Sequence, residues 1–427
     1  MTFLTIILIL LILVLIFVSY IIYMNKKHKD NFFLKRFWKK DKTKTIVSSL
    51  ICICLGLFIG CIILLLFANK KIGGLNISWK ATSDAIQLLF FGVFNIGKND
   101  NNTLIYGWNG TNIGNMLFKA MPLLLCGLSV AVAFKTGLFN IGTPGQYLVG
   151  AASTLIVALS IPSAIIHPII IWILALLSGI IFGALWGAIP GLFKAVLNIN
   201  EVITCIMTNW IAANLVTFIF DKDRGIFNNL LDPSGTKNYA YVYKTSHNNV
   251  STLKFGLDKI FSGSQINAGI IIAIIIAIII YIILNKTTFG YELKACGSNR
   301  YAAKYAGINE KRNIILSMMI AGGLAGCGAA LYYLSGNTEF KWETYQTLPD
   351  VAFNGIPVAL LAINSPIGVI FSSLFMAGLD ISGMQIKYQT TYNEYITAII
   401  SALIVYFSAF SLFIKTLITK KKKKKEE

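Results

Sequence analysis

The sequence predicts an all-α fold, a polytopic transmembrane helical bundle, and three observations carry that prediction. Apolar residues make up 56% of the 427 and charged residues only 13%. The apolar residues fall in runs long enough to cross hydrocarbon, and the basic residues gather between those runs. Soluble domains carry roughly a quarter charged residues, and a soluble core of this size needs more polar cover than this chain possesses. The composition excludes an ordinary cytosolic enzyme and a disordered chain. It leaves a protein whose surface is mostly lipid.

A helix crosses hydrocarbon with about 20 apolar residues. The first such run is Phe3–Met24; no positive charge precedes it and Lys26, Lys27 and Lys29 follow, so it reads as an uncleaved anchor, not a signal peptide. Ile46–Phe67 opens the main bundle, and further runs centre on Met121–Phe134, Tyr147–Leu159, Ile165–Ile189 and Val202–Phe220. Ala268–Leu284, almost pure Ile, predicts a lipid-facing helix, and Ile314–Leu334 and Tyr395–Ile414 complete the long runs. Val351–Ile363 and Ile367–Leu379 are shorter and separated by Asn364, Ser365 and Pro366, so they form either two thin helices or a re-entrant hairpin. The expectation is about ten core spans, one pair thin or re-entrant, plus the added N-terminal span. Residues 1–45 form that anchor and a basic cytoplasmic loop, 46–415 the transmembrane domain and 416–427 a Lys-rich cytoplasmic tail.

The net charge is +19, and 22 of the 37 Lys and Arg lie in three places: Asn25–Thr45, Asn285–Arg312 and from Lys415 onward. The positive-inside rule puts all three, and the C-terminus, in the cytoplasm of a cell-membrane protein. Ala68–Asn115 and Asp221–Gln265 then lie outside. Each basic block borders an apolar run, with no aromatic–basic interleaving. The charge therefore points to topology and membrane lipid as partner, and to no nucleic acid.

No catalytic chemistry stands out. Gly92–Lys98 fits the GxxxxGK start of a phosphate loop, but Asn99 stands where Ser or Thr would bind magnesium, and a polar loop follows where a helix should. The seven cysteines form no CxxC pair and avoid the outer segments, which predicts packing thiols. His28, His167 and His247 are scattered, so no metal site is expected. Transport remains. Ion-coupled carriers place carboxylates or His inside the bilayer, whereas Glu201, Asp350 and Glu394 sit at span ends and Asp380 follows one. The spans hold Gln146, Thr208 and Asn209 instead, which fits a permease driven by a separate motor; an ion-coupled secondary transporter is the alternative.

Met121–Phe134, followed by Gly137-Leu-Phe-Asn140-Ile-Gly142-Thr143-Pro144-Gly145-Gln146, resembles the nucleoside branch of the ribose-type ABC permeases. So do Asn200–Asn209, Gly290–Ile308, Asn354-Gly355-Ile356 and Pro366-Ile-Gly368, in the family's order, over roughly Asn112 to Phe410. The resemblance implies the permease subunit of an ATP-driven importer for nucleosides, with ribose or another sugar as the alternative cargo. It implies no catalysis and no cofactor in this chain, since ATP and Mg belong to a separate ATPase subunit. A second permease subunit, identical or related, and an extracellular substrate-binding lipoprotein are the other implied partners. The chain departs from the branch at Thr143-Pro144, where Ala-Glu is common, and at Asn354, where Asp is common.

The residues themselves read in the same direction. Asn140, Gly142, Pro144 and Gly145 break a helix within or beside the membrane, and broken backbone is tolerated only where it faces protein or a watery cavity. The freed amides with Asn140, Thr143 and Gln146 can hydrogen-bond a ribose or base; the other reading is an inert cytoplasmic turn. Asn209 either lines the substrate pathway or bonds another helix, and the resemblance adds Asn354 to the pathway. In the inner loop, Ser298 or Asn299 can cap a short helix from Arg300, and Gly307 suits the left-handed residue that ends it. Ala302, Ala303 and Ala306 would then present a small surface between Arg300 and Lys304. The resemblance assigns this stretch, with Gly297, Asn299, Ala302, Ala303 and Gly307, to coupling with the ATPase; a plain basic loop is the alternative. Gly179, Gly183, Gly187 and Gly191, and Gly322 and Gly326 with neighbouring alanines, predict two helix-packing seams.

Overall fold

In the computed structural model the described residues are 41–72, 75–236, 238–393, 395–410 and 416. The predicted span Phe3–Met24, most of the basic loop after it, Glu394 and all of the Lys-rich tail but Thr416 lie outside them.

The described residues divide into two units, those up to 107 with those from 379 onward, and residues 108–378. The first opens with α1 (Asp41–Phe67), which begins inside the expected basic loop, then β1 (Lys71–Ile72), β2 (Leu75–Asn76), α2 (Trp79–Phe91), β3 (Asn95–Lys98) and β4 (Leu104–Tyr106). The second holds α3 (Gly110–Lys135), α4 (Thr143–Ser160), α5 (Pro168–Leu197), α6 (Glu201–Ile219), β5 (Tyr239–Val242) and the single turn α7 (Leu257–Ile260). It continues with α8 (Gly269–Lys286), α9 (Thr288–Ser298), α10 (Arg300–Tyr305), α11 (Glu310–Tyr333), β6 (Phe340–Glu343), α12 (Asp350–Phe353) and α13 (Gly355–Leu361). The boundary between units falls within α14 (Pro366–Gln389), and α15 (Tyr395–Ala409) belongs to the first.

Seven helices among the described residues are long and apolar enough to cross a membrane: α1 from Val47, α3, α5, α6, α8, α11 and α14. The chain is a multi-pass membrane protein. The expected thin pair resolves unequally. Ile367–Leu379 is only the first part of α14, which runs on through Asp380 and Ser382 to Gln389. The sequence hid this because Asp380, Ser382 and Gln385 end the apolar run, yet Ser382 is buried and the Gln385 Oε1 accepts from Asn95 Nδ2 at 2.9 Å. Its partner is short, α12 and α13 meeting at Asn354. The chain reverses at Ile363 and Asn364, both left-handed with φ of 50° and 55°, and Pro366 starts α14, where its missing N–H has no cost.

The all-α expectation omits three two-stranded antiparallel pairs. All lie in the connections, where unpaired backbone groups need partners. The β5–β6 pair joins connections about a hundred residues apart in sequence, with Ala240 opposite Trp342, and Lys244 Nζ reaches Glu339 Oε1 at 3.1 Å. These two connections therefore lie on one side of the bundle. In the first unit, Gly92–Phe94 forms a 3-10 turn leading into β3, and Lys98 Nζ sits 3.0 Å from Asp84 Oδ2 and 2.7 Å from the Gln389 carbonyl. The GxxxxGK stretch is a 3-10 turn and a strand with its lysine in an ion pair, not a phosphate loop.

The two predicted glycine seams face each other. A Cβ on Gly183 of α5 would sit 2.6 Å from the Gly322 carbonyl of α11, and one on Gly150 of α4 would sit 2.5 Å from Gly326 Cα. Where lipid offers no hydrophobic drive, this backbone approach supplies dispersion contacts that any larger residue would prevent.

Candidate functional site

The site forms where α3 gives way to α4. Gly137, at φ 71°, turns the chain out of α3, and Pro144 lies in the first turn of α4. Between them Leu138, Asn140 and Gly142 are buried while the backbone lies outside any helix, so its polar groups need partners from side chains.

Asn140, Thr143 and Asn209 supply them, and Gln146 holds Asn140 in place. The Asn140 amide donates to Ser129 Oγ at 3.1 Å and to Gln146 Oε1 at 2.9 Å. Its carbonyl accepts from Gln146 Nε2 and from the Gly142 N–H, each at 3.1 Å. Thr143 Oγ1 donates to the Asn140 backbone carbonyl at 3.1 Å. From α6, Asn209 Oδ1 accepts the Gly145 N–H at 2.9 Å while its Nδ2 donates to the Ile141 carbonyl at 3.0 Å. All four side chains are buried.

A carboxamide has two N–H donors and an acceptor with two lone pairs, and Asn140 uses every one of them here. The amides that the break frees are therefore already paired: Gly142 with Asn140, Gly145 with Asn209. Of the two readings of Asn209, the structure shows the bond between helices, from α6 into the break. The break is not an exposed turn.

Asn354 stands apart. It is half-buried between α12 and α13, and its side chain makes no hydrogen bond among the described residues. Next to it, Gly355 packs on α3, where a Cβ would come 2.7 Å from Cys126 Cβ. Sequence reasoning missed Ser129 and Cys205. Cys205 Sγ lies 3.9 Å from Asn140 Oδ1, and its position one helical turn before Asn209 was the available signal.

The predicted coupling stretch has a defined shape with one correction. Asn299, not Ser298, is the cap: its Oδ1 accepts the Ala302 N–H at 3.1 Å. Gly307 ends α10 in the left-handed region at φ 79°, with the Ile308 N–H donating to the Ala303 carbonyl at 3.1 Å. Ala302 and Ala306 are exposed, but Ala303 is only 4% exposed. Ala303, the fourth residue of α10, is the one that α10 buries, so it is not part of the outward surface. Tyr301 and Tyr305, at 79% and 93% exposed, are. Gly297 packs on the end of α3, where a Cβ would sit 2.9 Å from the Gly137 N. Glu292 ties α9 to α11 through Asn313 Nδ2 at 3.0 Å.

No group of three or more His, Cys, Asp or Glu among the described residues is arranged to hold a metal, and all seven cysteines are free thiols. His167 caps α5 through the Ile169 N–H, and His247 stacks on Tyr243 at 4.2 Å.

A family model described as branched-chain amino acid transport system / permease component matches residues 112–408. The chain is 35% identical to the nucleoside ABC transporter permease protein NupB of Lactococcus lactis subsp. cremoris, over 90% of this chain and 95% of that one. It is 34% identical to the guanosine ABC transporter permease protein NupP of Bacillus subtilis, over 74% of this chain and 88% of the relative. With the glucose ABC transporter permease protein TsgB13 of Haloferax volcanii it shares 29% identity, over 70% of this chain and 76% of the other. No solved structure matches the chain.

Proposed function

Given that this chain belongs to the family of branched-chain amino acid transport system permease components, we propose that it is the membrane subunit of an ATP-driven importer and forms the pathway for nucleosides. The observation that carries this reading is the 35% identity to a nucleoside permease across 90% of the chain, which takes in the broken α3–α4 junction. The similarity to a glucose permease keeps a sugar as the second reading of the cargo.

A separate ATPase subunit would bind ATP and Mg and dock on the α9–α10 segment through Gly297, Asn299, Ala302 and Gly307, with Ala303 holding the segment from beneath. An extracellular lipoprotein would deliver the substrate, and a second permease chain would complete the pathway. This reading counts α1, α3, α4, α5, α6, α8, α11, the α12–α13 pair, α14 and α15 as one crossing each, ten in all. The C-terminus is then cytoplasmic. In the substrate pathway we place Asn140, Thr143, Gln146 and Asn209, exposed when their network opens, and Asn354, whose carboxamide has no hydrogen-bond partner in the described structure.

The test is uptake of labelled guanosine and labelled glucose into vesicles holding this chain with its ATPase, and a binding protein outside. Guanosine uptake that needs ATP is the expected result. Uptake driven by an ion gradient without the ATPase overturns the importer reading, and transport of glucose alone moves the cargo to sugars.

A further inference from the structure

Buried polar groups normally bond, so each one that does not needs an explanation. In the 108–378 unit, Asn267 and Asn313 each leave one side-chain atom unpaired but bond with the other, to the Gly269 N–H and to Glu292. Tyr147 of α4 differs from both. Its hydroxyl is buried and makes no hydrogen bond among the described residues. A phenol so placed loses the bonds that water gave it and regains none, a cost that phenylalanine would avoid with the same ring.

The surroundings of that hydroxyl are aromatic. Tyr147 belongs to one buried cluster with Cys126 of α3, Ala352 of α12 and Phe340 of β6, and Tyr333 of α11 packs against it. Tyr333, Cys126 and Tyr332 lie within electrostatic reach of the hydroxyl. The Tyr332 and Tyr333 rings meet edge to face at 5.3 Å between centroids, and Tyr333 meets Phe340 at 5.4 Å. Tyr332 and Tyr333 are only half-buried, so part of their surface is open to a ligand. Asn354 belongs to the same place. Gly355, next to it in the chain, packs on Cys126, and Cys126 shares the cluster with Tyr147.

Open aromatic surface beside a lone hydroxyl suits a flat ring with a polar edge. A nucleobase is such a ring: its face stacks on an aromatic side chain, and its edge carries donors and acceptors. A phenol both donates and accepts, so it can meet either. A free sugar has no π face and a hydroxyl on nearly every carbon, and most of those hydroxyls would go unpaired among these rings. We propose that Tyr147 and Tyr333 form the site that selects the nucleobase, the base stacking on Tyr333 and its polar edge bonding the Tyr147 hydroxyl, with Asn354 as the neighbouring polar group. The site rests on the nucleoside reading of the cargo, and it names the residues that separate a nucleoside from a sugar. The unpaired hydroxyl is then kept, against stability, because the substrate is its partner.

Vesicles holding the full chain with its ATPase, and a binding protein outside, test the site with labelled guanosine and labelled purine riboside, whose base lacks the exocyclic oxygen and amine. Tyr147→Phe keeps the ring and removes only the hydroxyl. It should lower the ratio of guanosine to purine riboside uptake about tenfold, the worth of one hydrogen bond to substrate. Its unfolding temperature in detergent should stay level or rise. Tyr333→Leu should lower uptake of both nucleosides together, read as rate per folded molecule. A fall in the unfolding temperature of Tyr147→Phe would mark the hydroxyl as structural, and an unchanged ratio would mean that it meets no base. Either result overturns the proposal, as does full uptake of both nucleosides by Tyr333→Leu. Wild-type uptake of glucose without guanosine fails the nucleoside reading itself, is seen before any variant is compared, and overturns this site with it.

Discussion

Asn209 and Asn354 are both carboxamides in this bundle, and they have opposite standing. Asn209 satisfies two backbone groups of the break, the Gly145 N–H and the Ile141 carbonyl. Its replacement by alanine leaves both buried and unpaired, at about 1–3 kcal/mol each. Asn209→Ala is therefore expected to unfold in detergent several degrees below the wild type, and loss of uptake in that variant reports on folding as well as on the pathway. The Asn354 side chain bonds nothing among the described residues. Asn354→Ala should change stability by less than about 0.5 kcal/mol while lowering guanosine uptake, read as rate per folded molecule. Wild-type uptake in that variant would remove Asn354 from the pathway.

At the scale of elements, α10 is the informative case. A helix of six residues is too short to persist in water by itself. It is held by the Asn299 cap, by Gly307 at its end and by the buried Ala303. An arginine at position 303 would have to enter a packed site, at about 1–3 kcal/mol, so Ala303→Arg should lower the yield of folded protein. Ala302 faces outward, and Ala302→Arg should leave thermal unfolding unchanged while reducing co-purification with the ATPase and ATP-driven uptake together. Normal uptake by a folded Ala302→Arg variant would show that this segment is not the coupling element. The alternation of buried and exposed alanines was not readable from the sequence, because three alanines in a seven-residue stretch carry no mark of which one packs.

The topology of the whole molecule is testable with small thiol reagents. The 220–268 and 335–349 connections share a side through β5 and β6, and the α9–α10 segment meets the opposite end of α3 through Gly297 and Gly137. In the Cys54→Ser background, cysteines at Ile226 and Tyr345 should react with a membrane-impermeant maleimide in intact cells. Cysteines at Tyr301 and Tyr305 should react only after permeabilisation. The reverse pattern would invert the orientation that the basic clusters predict.

Hydrophobic length and the placement of lysine and arginine determined by themselves that this chain is a multi-pass helical membrane protein. Both signals are local and additive, and lipid rewards them wherever they occur. The glycine stripes were readable for a similar reason: their period alone puts them on one helix face. Only the tertiary structure decided that the stripes of α5 and α11 face each other, that α14 continues past Asp380, and that β5 finds β6. It also decided that Asn140, Gln146 and Asn209 spend their hydrogen bonds on one another and on the break. Each of these is a pairing between residues far apart in the chain, and a polar side chain carries no sign of its partner until folding brings the two within about 3 Å.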